Sequence, residues 1–150
     1  SLVHVVHDLC SGNYQGQMLR DEVDRSLLDS QIGDPNGAIL GHAEIAPQRK
    51  VDPGPLFPWK TLADAGLINW PDAQQVQAQT VQFEKALPEI AWFQKNLAQI
   101  GYATPQTGNL DAETRKVLAV FQMRYRPRVY DGEPDAETAA ILAVLTIKAN

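Results

Sequence analysis

The chain has 150 residues, of which 44% are hydrophobic, and a formal net charge of −5. This length and composition suit one compact domain or two small ones, and the acidic balance argues against a nucleic-acid partner, because phosphate binding needs clustered Lys and Arg. No apolar run approaches the roughly 18 residues of a transmembrane segment, and no export signal opens the sequence. Cys10 is the only cysteine, so an intrachain disulfide is excluded.

The first forty residues alternate between strand and helix patterns. Leu2 to Val6 is a β-branched apolar run that predicts a buried strand ending at His7. Gln17 to Ser30 has apolar residues at helical spacing, and Ala38 to Leu40 predicts a second strand that delivers His42 to its rim. We therefore expect an α/β amino-terminal part with a mixed sheet.

Beyond the second predicted strand the pattern becomes helical. Trp59 to Ala65 predicts a short helix stopped by Gly66. Residues 69–82 are polar and rich in glutamine, which is typical of a linker or a loosely docked connector. Pro88 then opens a helix with an apolar stripe at Ile90, Phe93, Leu97 and Ile100.

An internal repeat follows. Residues 108–114 read GNLDAET and residues 132–138 read GEPDAET. In each copy the glycine permits a tight turn, and Asp111 or Asp135 can cap the helix that comes next. The buried stripes of these helices are predicted at Val117, Leu118 and Phe121 and at Ile141, Leu142 and Leu145. The pattern predicts an all-α part of three helices.

The basic residues cluster at one place, where Arg124, Arg126 and Arg128 surround Tyr125. We interpret this cluster as a solvated helix end, whose cations complement the carboxyl-terminal helix dipole.

The candidate metal-binding and catalytic side chains lie close together in residues 41–55, which read GHAEIAPQRKVDPGP. The His42 imidazole and the Asp52 carboxylate are two of the three protein ligands that a catalytic zinc needs. Lys50 could place a fixed positive charge beside an oxyanion formed at that metal.

The stretch from Gly41 to Trp59 closely resembles the zinc N-acetylmuramoyl-L-alanine amidases of the AmpD-like (amidase type 2) family. The resemblance implies that His42 and Asp52 are zinc ligands and that Lys50 stabilises the transition state. The first ligand of the family ends the opening strand, where His7 stands. An incidental strand-end histidine is the alternative for His7, and His4 faces the other side of the strand.

Residues from about Leu87 to Ile147 resemble the three-helix peptidoglycan-binding domain of cell-wall hydrolases. The matching positions are Gly101-Tyr102, Phe121-Gln122 and both copies of the repeat. We expect a partial amidase-like domain at 1–68, a linker at 69–86 and this domain at 87–150. The resemblance implies peptidoglycan or muropeptides as partners and a place in the cell envelope, in the periplasm.

One departure from the family leaves the function open. Only 34 residues, 8–41, separate His7 from His42, whereas a complete amidase has a longer insert that carries a glutamate general base. If sequence is missing there, we expect a zinc amidase that cleaves the amide between N-acetylmuramic acid and L-alanine. The alternatives are a non-catalytic binding protein or inactive fragment, and another zinc hydrolase such as a peptidase. The RKVDPGP run argues against the peptidase.

Overall fold

The computed structural model describes residues 42–49, 54–66 and 68–149, and every regular element within these ranges is a helix. The elements are α1 (His42–Ile45), α2 (Trp59–Asp64), α3 (Ala73–Lys85), α4 (Ile90–Gln99), α5 (Ala112–Tyr125) and α6 (Ala136–Ala149).

The prediction of an α/β amino-terminal part with a mixed sheet is wrong for the residues that the structure describes. Residues 42–49 and 54–66 form two short helices and turns, without a strand. Their backbone hydrogen bonds are local, as between the Arg49 N–H and the Ala46 carbonyl at 3.0 Å. Ala and Glu favour the helix in α1, and Pro47 and Gly54 interrupt any extended run, so no ladder forms here. The predicted strands at Leu2 to Val6 and Ala38 to Leu40 lie outside the described residues.

The predicted helix after residue 58 is confirmed. α2 covers Trp59–Asp64, and Gly66 follows it with a φ of 77°. Trp59 and Leu62 are its buried residues, and α2 packs against α5.

The carboxyl-terminal helices enclose the core, in agreement with the predicted all-α part. The buried cluster contains both predicted stripes together with residues of α4: Phe93, Leu97, Val117, Leu118, Phe121, Ile141, Leu142 and Leu145. Asp111 and Asp135 cap as the repeat predicts, since each accepts a hydrogen bond at 2.8 Å from the backbone N–H three residues later.

The end of α4 explains the Gly101-Tyr102 pair. The Tyr102 N–H donates to the Leu97 carbonyl at 3.0 Å, and the Gly101 N–H donates to the Ala98 carbonyl at 3.0 Å. These two bonds form a Schellman motif, with Gly101 at a φ of 104°. The turn brings Tyr102, which is buried, back over the core.

A helix occupies most of the predicted linker. α3 begins after Asp72, whose side chain accepts from the Gln75 N–H at 2.9 Å. α3 lies against α6, and its Val76 and Phe83 pack on the core, although no residue of α3 is fully buried. The division of the chain at residues 69 and 87 stays a prediction. None of the described helices combines the length and apolarity needed to cross a bilayer.

Candidate functional site

Of the four predicted site residues, the structure describes the backbone of one. His42 is the first residue of α1, whereas His7, Lys50 and Asp52 lie outside the described residues. The ligand assignments and the oxyanion role of Lys50 therefore stay predictions.

The donor chemistry of the predicted set fits a catalytic zinc, since two imidazoles and one carboxylate leave a fourth position open. Within residues 42–49, 54–66 and 68–149, no group of three His, Cys, Asp or Glu side chains is arranged to hold a metal.

Two positions after His42, α1 carries a buried charge. Glu44 forms an ion pair with Arg124, with 2.8 Å between Oε2 and Nη1. The two side chains are only 7% and 3% exposed. Because an ion removed from water is tolerated only when it is paired and hydrogen-bonded, this contact fixes the face of α1 that meets α5.

Aromatic side chains enclose the ion pair. The Arg124 guanidinium lies 4.2 Å from the centre of the Trp59 ring and 5.3 Å from that of Tyr125. The Tyr102 hydroxyl donates to the same Glu44 oxygen at 3.3 Å. Four parts of the chain thus meet here: α1, α2, the turn after α4, and the end of α5.

The environment of the ion pair keeps Tyr102, Tyr125 and Arg124 each in one protonation state. Burial, and then the Glu44 charge, raise the pKa of Tyr102 well above its ordinary value. Burial also raises the pKa of Tyr125. Burial disfavours the charged form of Arg124, but Glu44, Tyr125 and Tyr102 together outweigh that effect, so the pKa of Arg124 is raised. The arginine is charged and both tyrosines are neutral at physiological pH.

The interpretation of the basic cluster as a solvated helix end is wrong for two of its three residues. Arg124 and Arg126 are 4% and 6% exposed. Arg126 donates to both carboxylate oxygens of Asp135 at 2.7 Å, and the exposed Arg128 pairs with Glu137. Each carboxylate comes from outside the basic cluster, nine residues away for Arg126 and Arg128 and 80 residues away for Arg124, so the charge pattern of the cluster does not reveal it.

Sequence reasoning missed Glu44. The only signal was a single acidic residue between apolar neighbours in the run from Ala43 to Ala46. The side chains around it are largely buried, so the ion pair has the structural role of holding α1 and α5 together rather than of binding a substrate.

Residues 87–142 match the family model described as "Putative peptidoglycan binding domain". The chain is also 45% identical over 111 residues to N-acetylmuramoyl-L-alanine amidase AmiD of Escherichia coli (strain K12), an alignment that covers 73% of the chain and 40% of AmiD.

Two solved structures are similar in fold as well as sequence. AmpDH3 from Pseudomonas aeruginosa shares 38% identity with a TM-score of 0.76, over 88% of this chain and 52% of that one. The E. coli AmiD complex with anhydro-N-acetylmuramic acid-L-Ala-D-gamma-Glu-L-Lys shares 39% identity with a TM-score of 0.71, over 88% of this chain and 51% of that one. The chain spans from two fifths to about half of the length of these relatives.

Proposed function

Because the chain is homologous to N-acetylmuramoyl-L-alanine amidases, we propose that it is a zinc-dependent peptidoglycan hydrolase. The bond cleaved is the amide between N-acetylmuramic acid and the L-alanine of the stem peptide. The 45% identity to AmiD over 111 residues carries this proposal. The complex of AmiD with an anhydromuramyl peptide supports a muropeptide as the substrate class.

In this proposal His7, His42 and Asp52 hold the zinc ion. Zinc supplies a Lewis acid and lowers the pKa of a water molecule toward neutrality. Lys50 contributes a fixed positive charge to the oxyanion that forms at the scissile carbonyl.

The helical region has a separate task. Residues 87–142, which match the peptidoglycan-binding family model, hold the polymer while the amide is cleaved. Because the proposed substrate is peptidoglycan, we expect the protein to act in the cell envelope, on the periplasmic side.

A second candidate is a non-catalytic binding protein that uses the same helical region. The short spacing of His7 and His42, with no glutamate in the motif that supplies the family's general base, favours it. Both candidates bind the wall, but only the amidase releases peptides.

The test has three measurements on the purified protein. Metal analysis should find about one zinc per molecule in the wild type and none in Asp52→Asn. Incubation with murein should release stem peptides with a free L-alanine amino group, and Lys50→Ala should lower turnover about a hundredfold with little change in binding. Sedimentation with insoluble peptidoglycan should be the same with a chelator present. Zinc-free protein that sediments and releases nothing would establish the binding protein instead.

A further inference from the structure

We propose that Arg124 is a positioning residue for the metal site. Through Glu44 it fixes α1, the helix that begins at His42, so the helical region supports the hydrolytic site in addition to binding the wall. The link to zinc rests on the proposed function, whereas the fixing of α1 does not.

The first step of the argument is that α1 needs external support. It has four residues, a single turn, and one turn of helix costs more in backbone entropy than its hydrogen bonds return. Its described contacts are with α5 and the core beneath it: Ala43 is 3% exposed within the core cluster, and Glu44 reaches Arg124.

The second step is that Arg124 is itself held by several contacts. Its guanidinium lies over the Trp59 ring and beside Tyr125, and its side chain is only 3% exposed. A shift of α1 would therefore break the 2.8 Å contact between Glu44 and Arg124. The Tyr102 hydroxyl, a second donor to the same oxygen, restricts the direction of the contact further.

The third step connects this rigidity to function. Metal ligands must be held within about half an ångström of their productive positions, and supporting contacts provide that precision. Position 42 is two residues from Glu44 on the same helical turn. The ion pair therefore sets where the backbone of a proposed zinc ligand lies.

The test uses the double variant Glu44→Met/Arg124→Met in the intact protein. Replacing both partners by apolar side chains of similar size removes the directional contact together with both of its charges, so the protein should fold. We expect amide hydrogen exchange in residues 42–49 to become about tenfold faster, with exchange in α6 unchanged. Zinc affinity, measured by competition with a chromophoric chelator, should fall about tenfold. In murein hydrolysis kcat should fall while KM stays the same.

The control is Arg126→Met/Asp135→Asn. It removes the ion pair between the buried Arg126 and the partly exposed Asp135 at the same end of α5, retains the cap of α6, and changes no residue of α1. We expect a lower melting temperature in this variant, with unchanged zinc affinity and unchanged exchange in residues 42–49.

The proposal would be overturned if Glu44→Met/Arg124→Met kept the amide exchange and the zinc affinity of the wild type. It would also be overturned if the control lost as much zinc affinity as this variant, because equal losses would indicate general destabilisation. If the wild type binds no zinc, the proposed function fails instead. Amide hydrogen exchange in residues 42–49 of the double variant then still decides whether Arg124 fixes α1.

Discussion

Gln94 and Gln122 make the same buried contacts in the two copies of the repeat. The Gln94 Oε1 atom accepts from the Gly108 N–H at 2.8 Å, and the Gln122 Oε1 atom accepts from the Gly132 N–H at 2.9 Å. Each Nε2 donates to the threonine hydroxyl six residues after the glycine, at 2.9 and 3.0 Å, and to the carbonyl one residue after it, at 3.1 and 2.9 Å. One glutamine thus fastens each turn to the helix before it.

Gln122→Leu should lower the free energy of unfolding by about 3 kcal/mol, because it leaves a buried N–H, a buried hydroxyl and a partly buried carbonyl without their partner. Urea unfolding at neutral pH measures the change. Gln94→Leu should lower the free energy of unfolding by a similar amount. The control is Gln82→Leu on the exposed face of α3, which should stay within about 0.5 kcal/mol of wild type. Equal stability of Gln122→Leu and the control would show that the network contributes nothing net.

Gly132→Ala should destabilise the protein more than Gly108→Ala, although both glycines have a φ of 76°. At Gly132 a Cβ atom would lie 2.5 Å from the backbone carbonyl oxygen of Arg115, whereas nothing lies within 4 Å at Gly108. Gly108→Ala reports backbone strain alone, about 1 kcal/mol, and Gly132→Ala adds a clash with backbone of about 1–3 kcal/mol. Urea midpoints of the two variants measure the difference. Equal losses would mean that the backbone around Arg115 moves freely.

The helical region was predictable because its determinants are local. Asp111 and Asp135 cap the helices that follow them within three residues, and the apolar stripes repeat at helical spacing. The predicted sheet had no such local basis in residues 42–49 and 54–66, where short helices and turns form instead.

The ion pair of Glu44 and Arg124 was not predictable, because its partners are 80 residues apart. An arginine in the last turn of a helix ordinarily faces water, whereas the packing of α1 and α2 on α5 buries this one. Two of the predicted ligands, His42 and Asp52, in contrast, came from a contiguous motif that requires no knowledge of the fold, and His7 came from the end of the predicted opening strand. Of these, the structure describes only the backbone of His42.

Acid should destabilise the protein partly through Asp135. Partial burial alone would raise the pKa of this carboxyl group, but hydrogen bonds from Arg126 and Thr138 outweigh it and hold the pKa below its ordinary value of 3.8. A carboxyl whose pKa is lower in the folded state adds stability above its unfolded pKa and loses it as the pH falls through the folded value. Asp135→Asn should therefore flatten the decline in unfolding free energy below about pH 5.

The measurement is a set of urea titrations from pH 7 downward for wild type and Asp135→Asn. The control is Arg126→Gln, which removes one of the two donors that lower the pKa of Asp135 and should flatten the decline by a smaller amount. A curve for Asp135→Asn that runs parallel to wild type would contradict the assignment.

The last prediction concerns where the helical region begins as a folding unit. The family match starts at residue 87, but α3 lies upstream and packs on α6. The Phe83 ring lies 5.5 Å from the Trp92 ring, and the Trp70 ring lies 5.2 Å from the Tyr125 ring. A fragment of residues 87–150 exposes these surfaces, whereas a fragment of residues 69–150 keeps them covered.

Both fragments lack Glu44 and Trp59, so they differ only by residues 69–86. The longer fragment should be more stable by about 2–4 kcal/mol, the value expected for partial burial of two or three large apolar side chains. Circular dichroism during urea unfolding measures this difference, and the shorter fragment should be marginal because so small a core leaves little net stability. Phe83→Ala in the longer fragment should reproduce part of the stability loss that the shorter fragment shows. Identical midpoints for the two fragments would instead make α3 a connector that the core does not need.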